Sequence, residues 1–196
     1  MSESPRIEPV APPYEEAVAA QLESMMPPGV PPILLFRTFV KNLTMTQAMS
    51  EWGSYELSKE MSLSMREREI VIDRTCARCG SEYEWGVHIS AFAERCGLTE
   101  DQVASLTHGS PDDPCWSVER ERLAIAVVDS LHDTSDIDDE LFAAVAEKFT
   151  EPEILDMVFL CGWYHAISFV ASVARVDREP GAPVFADYLP SEPLSR

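Results

Sequence analysis

The stretch CARCGSEYEWGVH, residues 76–88, concentrates side chains that could do chemistry. A Cys-x-x-Cys pair such as Cys76 and Cys79 is typical of a dithiol redox site or of half a zinc site. Glu84 lies four residues before His88, so the two side chains can touch on one side of a helix. A histidine held by carboxylates has a raised pKa and can carry protons near neutral pH. The stretch therefore holds two candidate sites, one built on thiols and one on acid–base groups.

Glu69 adds a second carboxylate to the acid–base candidate. It belongs to a stripe of residues at helical steps of four and three, namely Met65, Glu69, Ile72, Cys76 and Cys79. A carboxylate on an apolar stripe must be paired, protonated or next to water, because burying it alone is costly. If this helix packs antiparallel to the next one across Gly80, Glu69 approaches Glu84 and His88. The histidine would then be flanked by two carboxylates.

The two cysteines of the pair have a simpler interpretation. Cys76 and Cys79 follow the same apolar stripe, so we favour small buried hydrophobic residues over a redox pair. A zinc site has little support, because no second Cys-x-x-Cys or histidine pair follows in the sequence. A divalent metal held by the two glutamates and the histidine remains a further alternative.

The patterns of helix starts and stops predict an all-α fold, because no run of alternating apolar and polar residues makes a convincing strand. The predicted helices cover 14–26, 33–55, 65–79, 81 to just before 97, 99 onward, 117–132, 139–149 and 150 onward. Capping boxes are predicted at Ser64 with Glu67 and at Thr99 with Gln102, and simple serine caps at 81 and 117. The predicted organisation is a proline-rich extended arm (1–13), one helical domain (14–175) and an extended tail (176–196).

Composition narrows the class of protein. The net charge of −19 disfavours nucleic acid and anionic membranes as partners. The first residues lack the basic and apolar regions of a secretory signal, and five cysteines is an odd number, so we expect reduced thiols in a cytoplasmic protein. The apolar stretch 158–174 is interrupted by polar residues and falls short of the roughly 20 residues that span a bilayer. It predicts a buried helix and no membrane association.

The segment REIVIDRTCARCGSEYEWGVHISAFAERCGLTEDQV resembles the carboxymuconolactone decarboxylase and alkylhydroperoxidase D (AhpD) superfamily. The layout of the segment from WSVERERLAIAVV to FVASVA is similar to the C-terminal helices of many members. The resemblance covers residues 33–175 and implies an AhpD-like helical bundle built around a helical hairpin. It also implies a homo-oligomer, which could be a dimer, a trimer or a hexamer.

The resemblance also assigns residues to the active positions. Counted from Glu69, the two cysteines and the histidine of the peroxidase motif fall on Ser81, Glu84 and His88. Neither Ser81 nor Glu84 can pass through a sulfenic acid, so peroxidase chemistry by the family route is disfavoured. A glutamate four residues before the histidine is common in the decarboxylase branch, which these residues fit better.

The sequence therefore predicts a lyase or isomerase that acts on a small oxo-acid or lactone without a cofactor or metal. His88 is the expected general acid and base, and Glu84 and Glu69 orient it and tune its pKa. The candidate substrate-binding residues are Ser81, Tyr83 and Trp85, with packing favoured for the two aromatic side chains. Two other residues, Arg74 and Arg78, could bind a substrate carboxylate, although surface solvation is favoured for both. On the last predicted helix, His165 is interpreted as a core or interface residue, with the same cavity as the alternative.

Two alternative functions remain open at this point. The first is an AhpD-like thiol peroxidase that uses Cys76 and Cys79. The second is a non-catalytic small-molecule binding protein that keeps the fold and has lost the chemistry.

Overall fold

The computed structural model describes residues 4–189, and within this range the chain forms helices and no strand, which confirms the all-α prediction. The α-helices are α1 (Glu16–Ser24), α2 (Leu34–Phe39), α3 (Leu43–Glu56), α4 (Met65–Arg78), α5 (Glu82–Phe92), α6 (Glu100–His108), α7 (Glu119–Thr134), α8 (Asp139–Lys148) and α9 (Glu151–Ala174). Short 3-10 segments lie at Val40–Asn42 and Phe185–Tyr188. The outer ends of the predicted arm and tail, residues 1–3 and 190–196, lie outside the described range.

Local capping fixes the starts of α4 and α6 as predicted. The hydroxyl of Ser64 accepts a hydrogen bond from the amide of Glu67, and the Glu67 carboxylate accepts one from the Ser64 amide. Thr99 and Gln102 make the same reciprocal pair at the start of α6. Each pair satisfies two amides that would otherwise lack a partner in the first turn.

Three local predictions are wrong. The predicted helix over 33–55 is divided by the 3-10 segment Val40–Asn42, and the Asn42 side chain caps α3 by accepting a hydrogen bond from the Met45 amide. Ser81 occupies the N-cap position of α5, but its side chain makes no capping hydrogen bond. The third error is at α7, which begins after Val118 and has no side-chain cap, so Ser117 does not start it.

The described chain divides into two compact units. The first comprises residues 4–61 and 170–180 and contains α1, α2 and α3 around the buried side chains of Leu22, Leu35, Phe39 and Val40. Residues of the predicted arm are tied to this unit, because the amides of Arg6 and Ile7 both donate to the carbonyl of Ala174. The arm itself contains no helix or strand between residues 4 and 13.

The second unit comprises residues 62–169 and 181–189 and has α4 at its centre. Helix α4 packs against α5, α6 and α7. Every side chain from residue 68 to residue 76 is buried, including two arginines, a glutamate and an aspartate. A helix that is buried on all sides needs a partner for each charge, since an unpaired buried charge is strongly destabilising. The candidate site is built on this helix.

The chain after α9 returns to cover α5. The indole ring of Trp85 is fully buried, with its centroid 5.0 Å from that of Phe185 and 5.6 Å from that of Tyr188. The backbone also comes close here, because an ideal Cβ on Gly86 would lie 2.8 Å from the carbonyl oxygen of Pro183. Glycine at position 86 is what allows the returning segment to approach α5 this closely.

Helix α9 is longer than the apolar stretch that predicts it. The most apolar 18-residue stretch of this 24-residue helix has a mean hydropathy of 1.6, so by length and composition alone the helix could cross a membrane. Within the structure, 44% of that stretch is buried. The core helix of a globular protein meets the same criteria, so these values are weak evidence for a membrane span.

The close approach at Gly86 makes a stability prediction. We expect Gly86→Ala to lower the free energy of unfolding by about 1–3 kcal/mol, because the added methyl group must displace the backbone of Pro183. Urea unfolding of the wild type and the variant measures the loss. The control is Gly162→Ala in α9, compared at protein concentrations at which each variant is monomeric, since no described atom lies within 4 Å of an added Cβ and alanine favours the helix. A Gly86→Ala protein as stable as the control would contradict this description of the segment.

Candidate active site

The α4–α5 hairpin brings Glu69 and His88 together as predicted. The two helices are joined by three residues, with Gly80 in the left-handed region at φ +64°, and they run antiparallel. The Nδ1 atom of His88 lies 2.7 Å from Oε2 of Glu69. The Glu69 side chain is fully buried, and that of His88 is 6% exposed.

Arg68 binds the second carboxylate oxygen of Glu69. Its Nε and Nη2 atoms lie 2.9 Å and 2.8 Å from Oε1 of Glu69. The carboxylate therefore accepts from a guanidinium on one oxygen and from His88 on the other. Both oxygens are engaged, which fixes the orientation of the carboxylate and through it that of the imidazole ring.

Glu84 and Tyr164 lie on the other side of the His88 ring. The Nε2 atom of His88 is 3.1 Å from the phenol oxygen of Tyr164, a hydrogen-bonding distance, and 3.6 Å from Oε1 of Glu84. Tyr164 belongs to α9, and its ring meets the imidazole edge to face at a centroid distance of 5.1 Å. Three helices, α4, α5 and α9, thus supply the groups around His88.

His88 is protonated at neutral pH in this setting. Burial alone lowers the pKa of His88, but the charge of Glu69, the hydrogen bond to Glu69 and the contact with Glu84 outweigh it and raise the pKa to about 10. Both ring nitrogens then carry protons, so Nδ1 donates to Glu69 and Nε2 donates to the oxygen of Tyr164. The site contains a buried imidazolium held between carboxylates.

Asp73 is the acid of the site that the sequence interpretation missed. Burial and the nearby charge of Glu69 raise its pKa well above the usual value, against the opposing charge of His88. Neither of its carboxyl oxygens has a hydrogen-bond partner among the described residues. Burial therefore favours the protonated form of Asp73, beside the buried imidazolium.

The signal for Asp73 was present in the sequence. It lies four residues after Glu69 and three before Cys76, so helical spacing places it beside both on α4. Arg68 and Tyr164 carried weaker signals, since one is merely adjacent to Glu69 and the other is 76 residues from His88 along the chain. The histidine next to Tyr164, His165, contacts His132 instead.

The predicted substrate-binding residues are all buried. Ser81 is 3% exposed and its hydroxyl has no hydrogen-bond partner among the described residues, while Tyr83 is 7% exposed. Trp85 packs against the segment after α9, as described above. Their role in binding a substrate stays a prediction.

The other candidate side chains, one cysteine and two arginines, also belong to α4. Cys76 is fully buried, and burial together with the charges of Glu84 and Asp73 raises the pKa of its thiol well above the usual value. Arg74 is also buried, contrary to the favoured surface role, and its Nε and Nη2 atoms bind Asp129 at 2.7 Å and 2.8 Å. Arg78 is partly exposed and is paired with Asp129 and with a second aspartate of α7.

A metal ion is a further possibility for this cluster. Glu69, Asp73 and His88 each offer one ligand atom, and these atoms lie within 4.8 Å of one another. A metal would have to replace the proton on a ring nitrogen, because only a neutral imidazole binds metals. The raised pKa of His88 opposes this exchange at neutral pH.

The raised pKa of His88 predicts a pH-dependent stability. A group whose pKa is higher in the folded state stabilises the protein fully below its unfolded pKa, here about 6.5, and loses this effect as the pH rises through about 10. We therefore expect the stability difference between wild type and His88→Gln to shrink between pH 6.5 and pH 10. Urea unfolding across this range measures it.

His108→Gln is the matched control, since His108 is exposed and bonds to a backbone carbonyl. Its stability difference from wild type should change less over the same range. A constant difference for His88→Gln would show that His88 is not a buried imidazolium.

Comparison with known proteins supports the fold. No family model matches the sequence, and no curated protein matches it. Among solved structures, an uncharacterised peroxidase-related protein from Silicibacter sp. TM1040 is 16% identical, with a TM-score of 0.79, and the match covers 94% of this chain and 99% of that one.

Two other solved structures are similar at lower scores. An uncharacterised peroxidase-related protein with an alkylhydroperoxidase AhpD core, from Ralstonia eutropha JMP134, is 12% identical with a TM-score of 0.67, covering 90% of this chain and 95% of that one. The debrominase Bmp8 is 17% identical with a TM-score of 0.67, and the match covers 89% of this chain and 92% of that one. At these identities the likeness concerns the fold. The chain has an AhpD-like fold.

Proposed function

We propose that this protein is an acid–base enzyme, a cofactor-independent lyase or isomerase that acts on a small oxo-acid or lactone. The observation that supports the proposal is the buried His88 imidazolium, 2.7 Å from Glu69 and with Tyr164 and Glu84 at its other nitrogen. Strongly shifted pKa values in a cluster of titratable groups are typical of active sites. The raised pKa of the Asp73 carboxyl group beside the cation strengthens this interpretation.

The cation suits reactions that pass through an enolate. In decarboxylation of a 3-oxo-acid, the bond to the carboxyl carbon breaks, carbon dioxide leaves, and the electron pair moves onto the neighbouring carbonyl oxygen. A fixed positive charge in a site that excludes water stabilises that oxygen. His88 supplies the charge, and Glu69 with Arg68 holds the ring in position.

The enolate then needs a proton on carbon. Asp73 suits this role, because burial and the charge of Glu69 raise the pKa of its carboxyl group; after giving its proton it is reprotonated from solvent. In an isomerisation a base must first remove a proton. Glu84 suits this role, because it lies 3.6 Å from Nε2 of His88 and its Oε2 atom has no hydrogen-bond partner among the described residues.

The thiol peroxidase alternative has less support from the structure. A peroxidatic cysteine must be a thiolate that peroxide can reach. Cys76 is fully buried, and the pKa of its thiol is raised by burial first and then by the charges of Glu84 and Asp73. Burial also raises the pKa of the half-buried Cys79. The surroundings of both thiols therefore oppose ionisation.

Substitutions at the site test the proposal. With a panel of small 3-oxo-acids and lactones, we expect His88→Gln and Asp73→Asn each to lower kcat at least a hundredfold, the range of general acid–base effects. Release of carbon dioxide and loss of substrate absorbance are the measurements. Cys76→Ala is the control, because it removes one thiol of the pair and should keep activity.

The other outcomes separate the alternatives. Loss of activity in Cys76→Ala with activity kept in His88→Gln would favour a dithiol enzyme. Ligand binding by the wild type without turnover of any panel member, with His88→Gln altering only stability, would favour a binding protein. Either result contradicts the proposed function.

We also propose a cytoplasmic location and self-association. All five cysteines are free thiols, as expected for a reducing compartment. One face of α9 exposes three large apolar side chains, Leu155 at 64%, Phe159 at 62% and Phe169 at 62%. Gly162 and Ala166 lie between them on the same face, so a second helix can approach closely. For a chain with a net charge of −19, this uncharged face is suited to contact a second copy.

Phe159→Glu tests this interface. We expect the dissociation constant of the oligomer to rise at least tenfold, about 1.4 kcal/mol, because a charge replaces an apolar anchor. Sedimentation over a range of concentrations measures it. The control is Phe142→Glu in α8, where the side chain is 50% exposed outside this face. A wild-type protein that stays monomeric, or that binds lipid vesicles through this face, would contradict self-association.

A further inference from the structure

We propose that Cys79, His132 and His165 form a binding site for zinc or another soft divalent metal, separate from the His88 cluster. The three residues come from the end of α4, from α7 and from α9. Each offers one ligand atom, and these atoms lie within 4.8 Å of one another. All three side chains are partly exposed, so an ion can reach them from solvent. The inference does not depend on the proposed function.

The two imidazole rings are already arranged as a pair of ligands. Nδ1 of His132 lies 3.0 Å from Nε2 of His165, and the ring planes differ by 34°. Tetrahedral zinc with Zn–N bonds of about 2.0–2.1 Å places two nitrogens about 3.3 Å apart. A shift of a few tenths of an ångström therefore converts the observed contact into two metal bonds.

The tautomer of His165 suits this role. Its Nδ1 atom lies 2.8 Å from the carbonyl oxygen of Cys161, and a carbonyl can only accept, so Nδ1 carries the proton. In the neutral ring the lone pair is then on Nε2, the atom that faces His132. Metal-binding histidines commonly donate their other N–H to a backbone carbonyl in this way, which fixes the ring and the tautomer.

Cys79 adds the donor that selects the metal. One thiolate with two imidazoles is a set that zinc and similar soft ions favour over magnesium or calcium. Three protein ligands leave a fourth tetrahedral position for water, as in catalytic zinc sites. On binding, the Cys79 thiol releases its proton to solvent, and the proton between the rings moves to Nε2 of His132.

The charges around the site are compatible with a cation. Arg78, a positive side chain whose charge acts on His132, is paired with Asp129 at 3.6 Å and with Asp133. Both aspartates belong to α7, on either side of His132 in sequence. The guanidinium charge is therefore offset locally, and the carboxylates add negative potential near the ligands.

Cobalt is the probe for this site, because Co²⁺ substitutes for zinc and has visible absorption that reports its ligands. Tag-free protein is stripped with chelator, titrated with Co²⁺ and then with Zn²⁺. We expect one equivalent to bind, with intense tetrahedral bands and a thiolate charge-transfer band, and Zn²⁺ to displace it. In Cys79→Ser the charge-transfer band should disappear, and His132→Gln and His165→Gln should weaken binding at least a hundredfold.

Matched variants complete the experiment. Cys115→Ser and His108→Gln remove the same residue types elsewhere and should bind as the wild type does. Circular dichroism of the metal-free variants checks folding, and His132→Gln serves if a variant of α9 fails to fold. Absence of binding, a wild-type spectrum without the thiolate band, or wild-type affinity in Cys79→Ser and His132→Gln would overturn the proposal.

Discussion

The contact between Glu69 and His88 is the interaction on which the centre of this molecule depends. A carboxylate with no exposed surface is stable only if its charge is compensated, and it is compensated by an imidazolium on one oxygen and by Arg68 on the other. The same requirement applies to Arg74, which is buried and binds Asp129 of α7 through two nitrogens. Helix α4 is therefore held to its neighbours by paired charges as well as by apolar packing. The fold around it can tolerate polar chemistry in its core because each charge has a specific partner.

The sequence predicted the features that local rules control. The starts of α4 and α6 follow from the capping boxes at Ser64 and Thr99, where the partners are three residues apart. The meeting of Glu69 and His88 follows from one assumption, that two helices joined by a short connection containing Gly80 pack antiparallel. These predictions use short separations along the chain, for which geometry leaves few alternatives.

Features that depend on distant segments were not predictable in the same way. Tyr164 reaches His88 from α9, and no periodicity relates residues 76 positions apart. The segment Val40–Asn42, which divides α2 from α3, contains no glycine or proline, so propensity alone favours a continuous helix there. Ser81 has the residue type of a cap, but its buried hydroxyl does not bond to the first turn. Asp73 differs from these, because its spacing from Glu69 on α4 was visible in the sequence although the prediction did not include it, and the direction of its pKa shift required the structure.

Helix α9 places neighbouring residues in two different clusters. Tyr164 bonds to His88, and His165 bonds to His132, and the two α9 side chains diverge by about 100° around the helix axis. A rotation or slide of this turn that improved one contact would alter the other, since a helical turn moves as a rigid piece. A substitution that repacked this turn would therefore disturb both contacts at once. The adjacency of two residues places the acid–base centre and the pair of imidazoles on one turn of the same helix.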